Sequence, residues 1–194
     1  MTDRLQHALD AIDAANGDDP NRIAVRGTQR PKELAHAELA TDWVRRLDPD
    51  PSEALLLATR AHHLRRWTIA RSSQPTGRVG YLRWRKALQE QHASDVAAIL
   101  EEVGYDETTI VRVQDLVRKR GLGHDPDVQV LEDALCLVFV ETQLRDLTGR
   151  VEPEKMTEIL EKTAKKMSER ALELALDLEL DADERGLLER ALRR

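Results

Sequence analysis

Cysteine is almost missing from this chain of 194 residues: Cys136 stands alone. A single thiol forms no disulfide framework and no paired-cysteine metal motif, and a reducing cytoplasm is the compartment expected for such a chain. Its apolar neighbours argue against a reactive thiolate. Glycine and proline are sparse, at 9 and 7 residues, so few positions interrupt a helix. Ala, Leu, Glu and Arg abound instead, a composition that favours helices. No apolar run approaches the ~20 residues that a membrane span needs. The opening MTDRLQHALD lacks the apolar centre of a signal peptide. There is no P-loop, no G-x-G-x-x-G and no G-x-S-x-G, which removes the common phosphate-loop, dinucleotide and nucleophile-elbow chemistries. The formal charge of -6 argues against general coating of nucleic acid.

Acid is missing from one long stretch. No Asp or Glu lies between Glu53 and Glu90, and within it Arg60–Lys86 carries eight basic residues, seven of them Arg. Clustered like charge repels itself unless a counter-charge meets it, so a cationic island in an acidic protein points to an anionic ligand. Arginine forks suit phosphate oxygens better than lysine does. Arg65, Arg66, Arg71, Arg78, Arg83 and Arg85 are therefore the expected phosphate clamps. Trp67 or Trp84 is placed to stack on a base, although an aromatic at helical spacing more often packs in a core.

The remainder reads as successive amphipathic helices. Leu5, Leu9 and Ile12 define the first, over 3–15, with Thr2 as its cap and Asn16-Gly17 as its end. A short extended piece is expected at Ile23–Val25. Pro31 opens a second helix with Leu39, Ala40, Trp43 and Leu47 on its apolar stripe. Asp50-Pro51-Ser52-Glu53 starts a third, with Asp50 as cap, running on through Trp67. A Ser/Pro/Gly-rich loop leads to a helix over Tyr81–Val103 closed by Gly104. Asp106 caps the next, which Arg118-Lys119-Arg120 ends with charge suited to a helix C-terminus. Asp125-Pro126 opens a helix that is apolar at every position from Leu135 to Val140, hence central and surrounded. Pro153 starts a long helix to about Leu178, and Asp181 caps a short last one. The expectation is an all-α, single-domain bundle of about eight helices spanning 1–194, with supporting helices over 152–194.

Several polar residues fall on the apolar sides of these helices: His36, His62, His63, His92 and Asp133, with Glu33 and Glu132 at the edges. One inward histidine is commonly a satisfied core residue. Four on successive helices, with a buried acid, suit a divalent transition metal such as Mn, Fe, Co, Ni or Zn.

The order of these residues resembles the HD-domain metal-dependent phosphohydrolases, over roughly 32–141. His36 stands for the family's first His, His62-His63 for its His-Asp pair, and His92, in HASDVAAILEEVGYDETTIVRVQDLVRK, for its later His. Asp133, in LEDALCLVFVE, stands for the late Asp. The resemblance implies an HD-like core; His36, His62, His63 and Asp133 are the expected metal ligands, His92 a further ligand or phosphate contact, and Glu132 and His92 the expected catalytic residues. The sequence departs from the family at the pair itself, where His63 replaces the Asp. An imidazole keeps one ligand but cannot bridge two metals with two oxygens as a carboxylate does, which weighs against a binuclear centre; alternatively His63 is the first ligand and Glu33 or Glu132 supplies the oxygen. The whole chain, especially AHHLRRWTIARSS, GYLRWRK and LEDALCLVFVE, is also similar to the family called domain of unknown function 4202, which implies a shared basic loop and brings no assigned reaction.

The leading expectation is a cytoplasmic metal-dependent phosphohydrolase acting on a nucleotide or another phosphorylated small molecule. A non-catalytic nucleotide- or RNA-binding module on a degenerate HD-like fold is the alternative, nucleic acid being the less favoured partner. A helical scaffold whose basic loop meets an acidic protein is a third. No membrane partner is expected.

Overall fold

The structure, a computed structural model, describes residues 3–25, 27–148 and 151–192, without the side chains of 145–148 and 153. Thr2, the expected first cap, lies outside them. The chain is mostly helical. Among the described residues nine α-helices and one small hairpin run in the order α1 (Asp3–Gly17), β1 (Arg22–Val25), β2 (Thr28–Pro31), α2 (Lys32–Leu47), α3 (Glu53–Ala61), α4 (Gly77–Val103), α5 (Glu107–Val117), α6 (Pro126–Thr148), α7 (Pro153–Ala164), α8 (Glu169–Leu176) and α9 (Ala182–Leu192). Two short 3₁₀ turns, Arg66–Thr68 and Arg71–Ser73, lie between α3 and α4.

Most helix limits follow from local chemistry. Ser52, rather than Asp50, caps α3 by accepting from Leu55 N, and Asp106 caps α5 by accepting from Thr109 N. Asp181 and Glu184 form a reciprocal pair at the start of α9: each carboxylate accepts the other's backbone N–H. Pro31 is the residue before α2 and has no side-chain cap to offer. The buried Asp19 replaces it from the preceding loop, accepting from Glu33 N at 3.0 Å. A carboxylate there also suits the positive end of the helix dipole. The extended piece expected at Ile23–Val25 is one half of an antiparallel hairpin, its register running from Arg22↔Pro31 to Val25↔Thr28.

Three limits differ from the periodic pattern, two of them because a tertiary contact outbids local continuation. The third helix stops at Ala61 instead of running to Trp67. Arg65 turns left-handed (φ 53°), and its N–H goes to the side chain of the buried Asn16. The fourth begins at Gly77 rather than Tyr81; Gly80 packs so tightly on the Pro75 carbonyl that a side chain there would collide. The long helix expected from Pro153 breaks into α7 and α8. Ser168 caps α8, while two residues of α6 hold the break: Asp133 accepts from Ser168 N (2.9 Å) and Gln129 donates to Lys166 O (2.8 Å).

The core lies where α6 packs on α2 and where α3 meets α2 and α5, with α1 laid over α3 and α4. Leu55, Leu57, Leu116, Leu131 and Leu137 are fully buried there. Each contributes about 1.5–3 kcal/mol by leaving water. Cys136 is buried in this wall, and burial pushes its thiol up to about 12, so it stays a protonated apolar side chain. No described helix is long and apolar enough to cross a membrane.

Candidate metal and phosphate site

The site grows from the first turn of α2. Glu33 and His36 are three residues apart and so share one face. Both are buried, at 4% and 2% exposure. The early end of α3 brings His63 onto the same carboxylate. His63 Nδ1 donates to Glu33 Oε2 at 3.0 Å, and His36 Nδ1 lies 3.7 Å from that oxygen. The Arg66 guanidinium approaches the other oxygen at 3.8 Å. Burial pushes the Glu33 carboxyl up, but the His63 and His36 imidazoles together outweigh it, so Glu33 ionises well below the ordinary carboxylate range.

One donor atom from each of Glu33, His36 and His63 lies within 4.8 Å of the other two. A carboxylate with two imidazoles is a donor set suited to a divalent transition metal. Metal–ligand bonds of about 2.0–2.2 Å hold donors no more than about 4.4 Å apart, so the three side chains need close in only slightly to share one ion. The Thr142 hydroxyl donates to Val138 O at 2.7 Å, so it accepts from His36 Nε2 at 3.5 Å. With the His36 hydrogen on Nε2, its Nδ1 lone pair faces the Glu33 oxygen, and two acceptors so placed favour a cation between them; with it on Nδ1, His36 donates to Glu33 instead.

A cleft opens beside this group, lined by His62, His63, His92, Arg66, Arg85 and Lys119. Three of its walls are imidazoles whose Nδ1 hydrogen is already spent: His62 on Thr59 O (2.7 Å), His63 on Glu33, and His92 on Leu64 O (2.7 Å). Each therefore turns a bare Nε2 elsewhere. Arg66 Nη1 approaches that of His63 at 3.4 Å, while that of His92 is buried with no partner. Burial keeps all three neutral at pH 7: it lowers His63 to about 4 and His92 to about 3, and holds His62 well below its ordinary value. The cations come from the chain around them. Arg66 lies over the Trp84 ring at 4.8 Å, and Trp84 donates its indole N–H to Ile69 O at 2.9 Å, which pins the basic loop.

A family profile described as domain of unknown function (DUF4202) matches residues 6–188. The chain belongs to that family. No curated protein and no solved structure matches it.

The match takes in every residue of the DUF4202 cleft and of the donor group. The residues anticipated for the site divide into three sets. His36 and His63 meet at Glu33, the carboxylate offered as an alternative oxygen donor. His62 and His92 stand in the adjoining cleft. Asp133 is not part of the donor group: it is buried at the α7–α8 break, where Oδ1 accepts from Gln129 Nε2 and Ser168 N, both at 2.9 Å. Glu132 is buried between two lysines, Lys119 and Lys166, the second at 3.2 Å. Burial raises its carboxyl, yet Lys119 and Lys166 prevail and keep it ionised.

The arginines of this DUF4202 chain divide too. Arg66 and Arg85 line the cleft. Arg71 is spent on the loop, donating to the carbonyls of Gln74, Pro75 and Gly77. Arg65, Arg78 and Arg83 are exposed, and Trp67 is half-buried. Lys119 is the cleft cation that the sequence pattern missed. Its one signal, a basic run at a helix end, has an ordinary dipole explanation.

Proposed function

We propose that this DUF4202 protein is a metal-dependent phosphohydrolase on an HD-like helical fold, acting on a nucleotide or another phosphorylated small molecule. The observation that carries the reading is the juxtaposition of the Glu33, His36 and His63 donors with a cleft walled by Arg66, Arg85 and Lys119. Glu33, His36 and His63 would hold the metal. When bound, it would supply Lewis acidity and a water ionised near neutral pH. With one carboxylate among the three, the reading is of a mononuclear centre.

The chain's own groups supply the rest. Arg66 and Arg85 offer donors to phosphoryl oxygens, stabilising the charge that develops on them in the transition state. Lys119 is held at the cleft wall by Glu132, so in this reading Glu132 positions a cation instead of moving a proton. His92, lowered to about 3, is too weak a base to carry a proton near pH 7; its bare Nε2 accepts a hydrogen bond and orients the attacking water. Arg78 and Arg83 add positive potential outside the cleft and steer anions towards it.

Metal content by inductively coupled plasma mass spectrometry, beside a phosphate-ester panel, tests the reading. About one metal per chain is expected, lost in Glu33→Ala and His63→Ala together with turnover. Protein that stays metal-free after reloading with Mn, Fe, Co, Ni and Zn overturns it. The second reading, a nucleotide- or RNA-binding module without turnover, has one observation in its favour: the donors already have protein partners, Glu33 in His63 Nδ1 and Arg66, and His63 Nε2 in Arg66. It expects nucleotide binding that is indifferent to metal and to Glu33→Ala.

A further inference from the structure

The cleft has about 50 Å³ of free space, and a second cavity of about 390 Å³ adjoins it. Small-molecule sites usually span about 300–1,000 Å³. By that measure the cleft admits a phosphoryl group and the neighbouring groove admits the remainder of a ligand. Arg85 and Gln89 wall both. Beyond them the groove is lined by Leu82, Lys86, Arg118 and Arg120, with Glu90 as its one acid.

The charges there are unequally engaged. Glu90 accepts from Arg118 Nε at 2.8 Å, and Arg120 pairs with Asp115 at 2.6 Å in a half-exposed contact. Neither Arg85 nor Lys86 has an acidic partner among the described residues. The groove therefore keeps a positive excess beside the cleft, with the exposed Leu82 as its apolar edge. The Arg118-Lys119-Arg120 run explains how one helix end serves both spaces. Lys119 is left-handed (φ 57°), a conformation that costs a non-glycine residue about 1 kcal/mol. Lys119 lines the cleft, whereas Arg118 and Arg120 on either side line the groove.

Resting on the phosphohydrolase reading, we infer that the substrate carries a second phosphate on its leaving-group side, as a phosphoric anhydride does. The reacting phosphoryl group occupies the cleft between Arg66, Arg85 and Lys119. The second phosphate lies on Arg85 and Lys86, with Arg120 turning to it from its half-exposed pair with Asp115, and any organic part lies against Leu82. A bare diphosphate and a nucleoside diphosphate share this chemistry.

Calorimetric titration of the full chain with orthophosphate, pyrophosphate and adenosine diphosphate tests it. Wild-type protein is expected to bind pyrophosphate at least about tenfold more tightly than orthophosphate. Lys86→Ala/Arg120→Ala should erase most of that ratio while orthophosphate binding stays within about twofold. Lys155→Ala/Lys162→Ala, which removes two exposed cations of α7, should leave the ratio intact and so exclude a net-charge effect. Adenosine diphosphate binding more tightly than pyrophosphate, and weakened by Leu82→Ser, identifies the nucleoside form; equal affinity identifies the bare anhydride. Orthophosphate and pyrophosphate binding alike, or a ratio untouched by Lys86→Ala/Arg120→Ala, overturns the second subsite and leaves the hydrolase reading standing. Absence of binding by all three overturns both.

Discussion

The Leu64 carbonyl accepts the Nδ1 hydrogen of His92 at 2.7 Å, across 28 residues of sequence. This bond joins the chain just past α3 to the middle of α4. It also fixes the tautomer of His92, whose Nε2 remains a buried acceptor without a protein partner. One contact thus shapes the loop and leaves a bare nitrogen on a residue that lines the cleft.

That burial makes stability depend on acid. His92 and His63 are lowered to about 3 and about 4, whereas each has an ordinary value near 6.5 once unfolded. Between those limits the unfolded chain binds more protons, so their contribution is complete above about pH 6.5 and is lost as pH falls towards 3–4. The loss should reach about 1.4 kcal/mol per pH unit for the buried His92 and less for His63, whose side chain is 34% exposed and screened by solvent. Urea unfolding at pH 7.5, 5.5 and 4.5 should show the decline. His92→Gln, which keeps a donor for Leu64, should flatten it by one histidine's share; an unchanged slope would contradict the burial argument.

Metal binding and structural support should separate at two acids. Glu33→Gln or His36→Asn should abolish metal uptake. Asp133→Ala should leave it unchanged while costing about 1–3 kcal/mol, because Ser168 N and the Gln129 amide lose their acceptor. Metal analysis of the three variants, paired with thermal denaturation, reads both effects. Metal lost from Asp133→Ala protein that remains folded would return Asp133 to the ligand set.

Glu132 is buried and depends on its lysines. Lys119→Met should destabilise by about 2 kcal/mol, less than the 3–5 expected of a buried carboxylate left wholly unpaired, because Lys166 remains. Lys119→Met/Glu132→Leu should recover most of that loss. A double variant no more stable than the single one would show that Lys119 acts through something other than Glu132.

Gly80→Ala should disturb the basic loop from within. The new Cβ would sit 1.9 Å from the Pro75 carbonyl oxygen, so the backbone must move. A cost of about 1–3 kcal/mol is expected, with proteolysis rising between residues 66 and 80. A wild-type melting temperature would show that the loop yields freely.

Helical class, most caps and the central position of α6 were legible in the sequence because they follow from 3.6-residue periodicity and from short-range capping chemistry. The positions of Gly104, Asp106 and Pro126 mark their helix limits directly. Local periodicity also turned His36, His62 and His92 inward, as the buried faces of α2 and α4 and the cap of α3 bear out. Which of these residues meet was a different matter. Periodicity carried α3 past the point where Asn16 stops it, and the order of polar residues grouped Asp133 with the histidines although it serves Ser168.

What the sequence by itself determined is thus the local layer: which segments coil, which faces are apolar, and where positive charge gathers without acid. Tertiary structure alone decided that Glu33 is the carboxylate shared by His36 and His63, that Glu132 is neutralised by Lys119 and Lys166, and that Arg71 is spent on its own loop. The physical reason is range. Capping and helical faces depend on neighbours within about one turn, whereas a buried carboxylate takes whichever partner the packing brings within hydrogen-bond reach, and those partners lie on other helices.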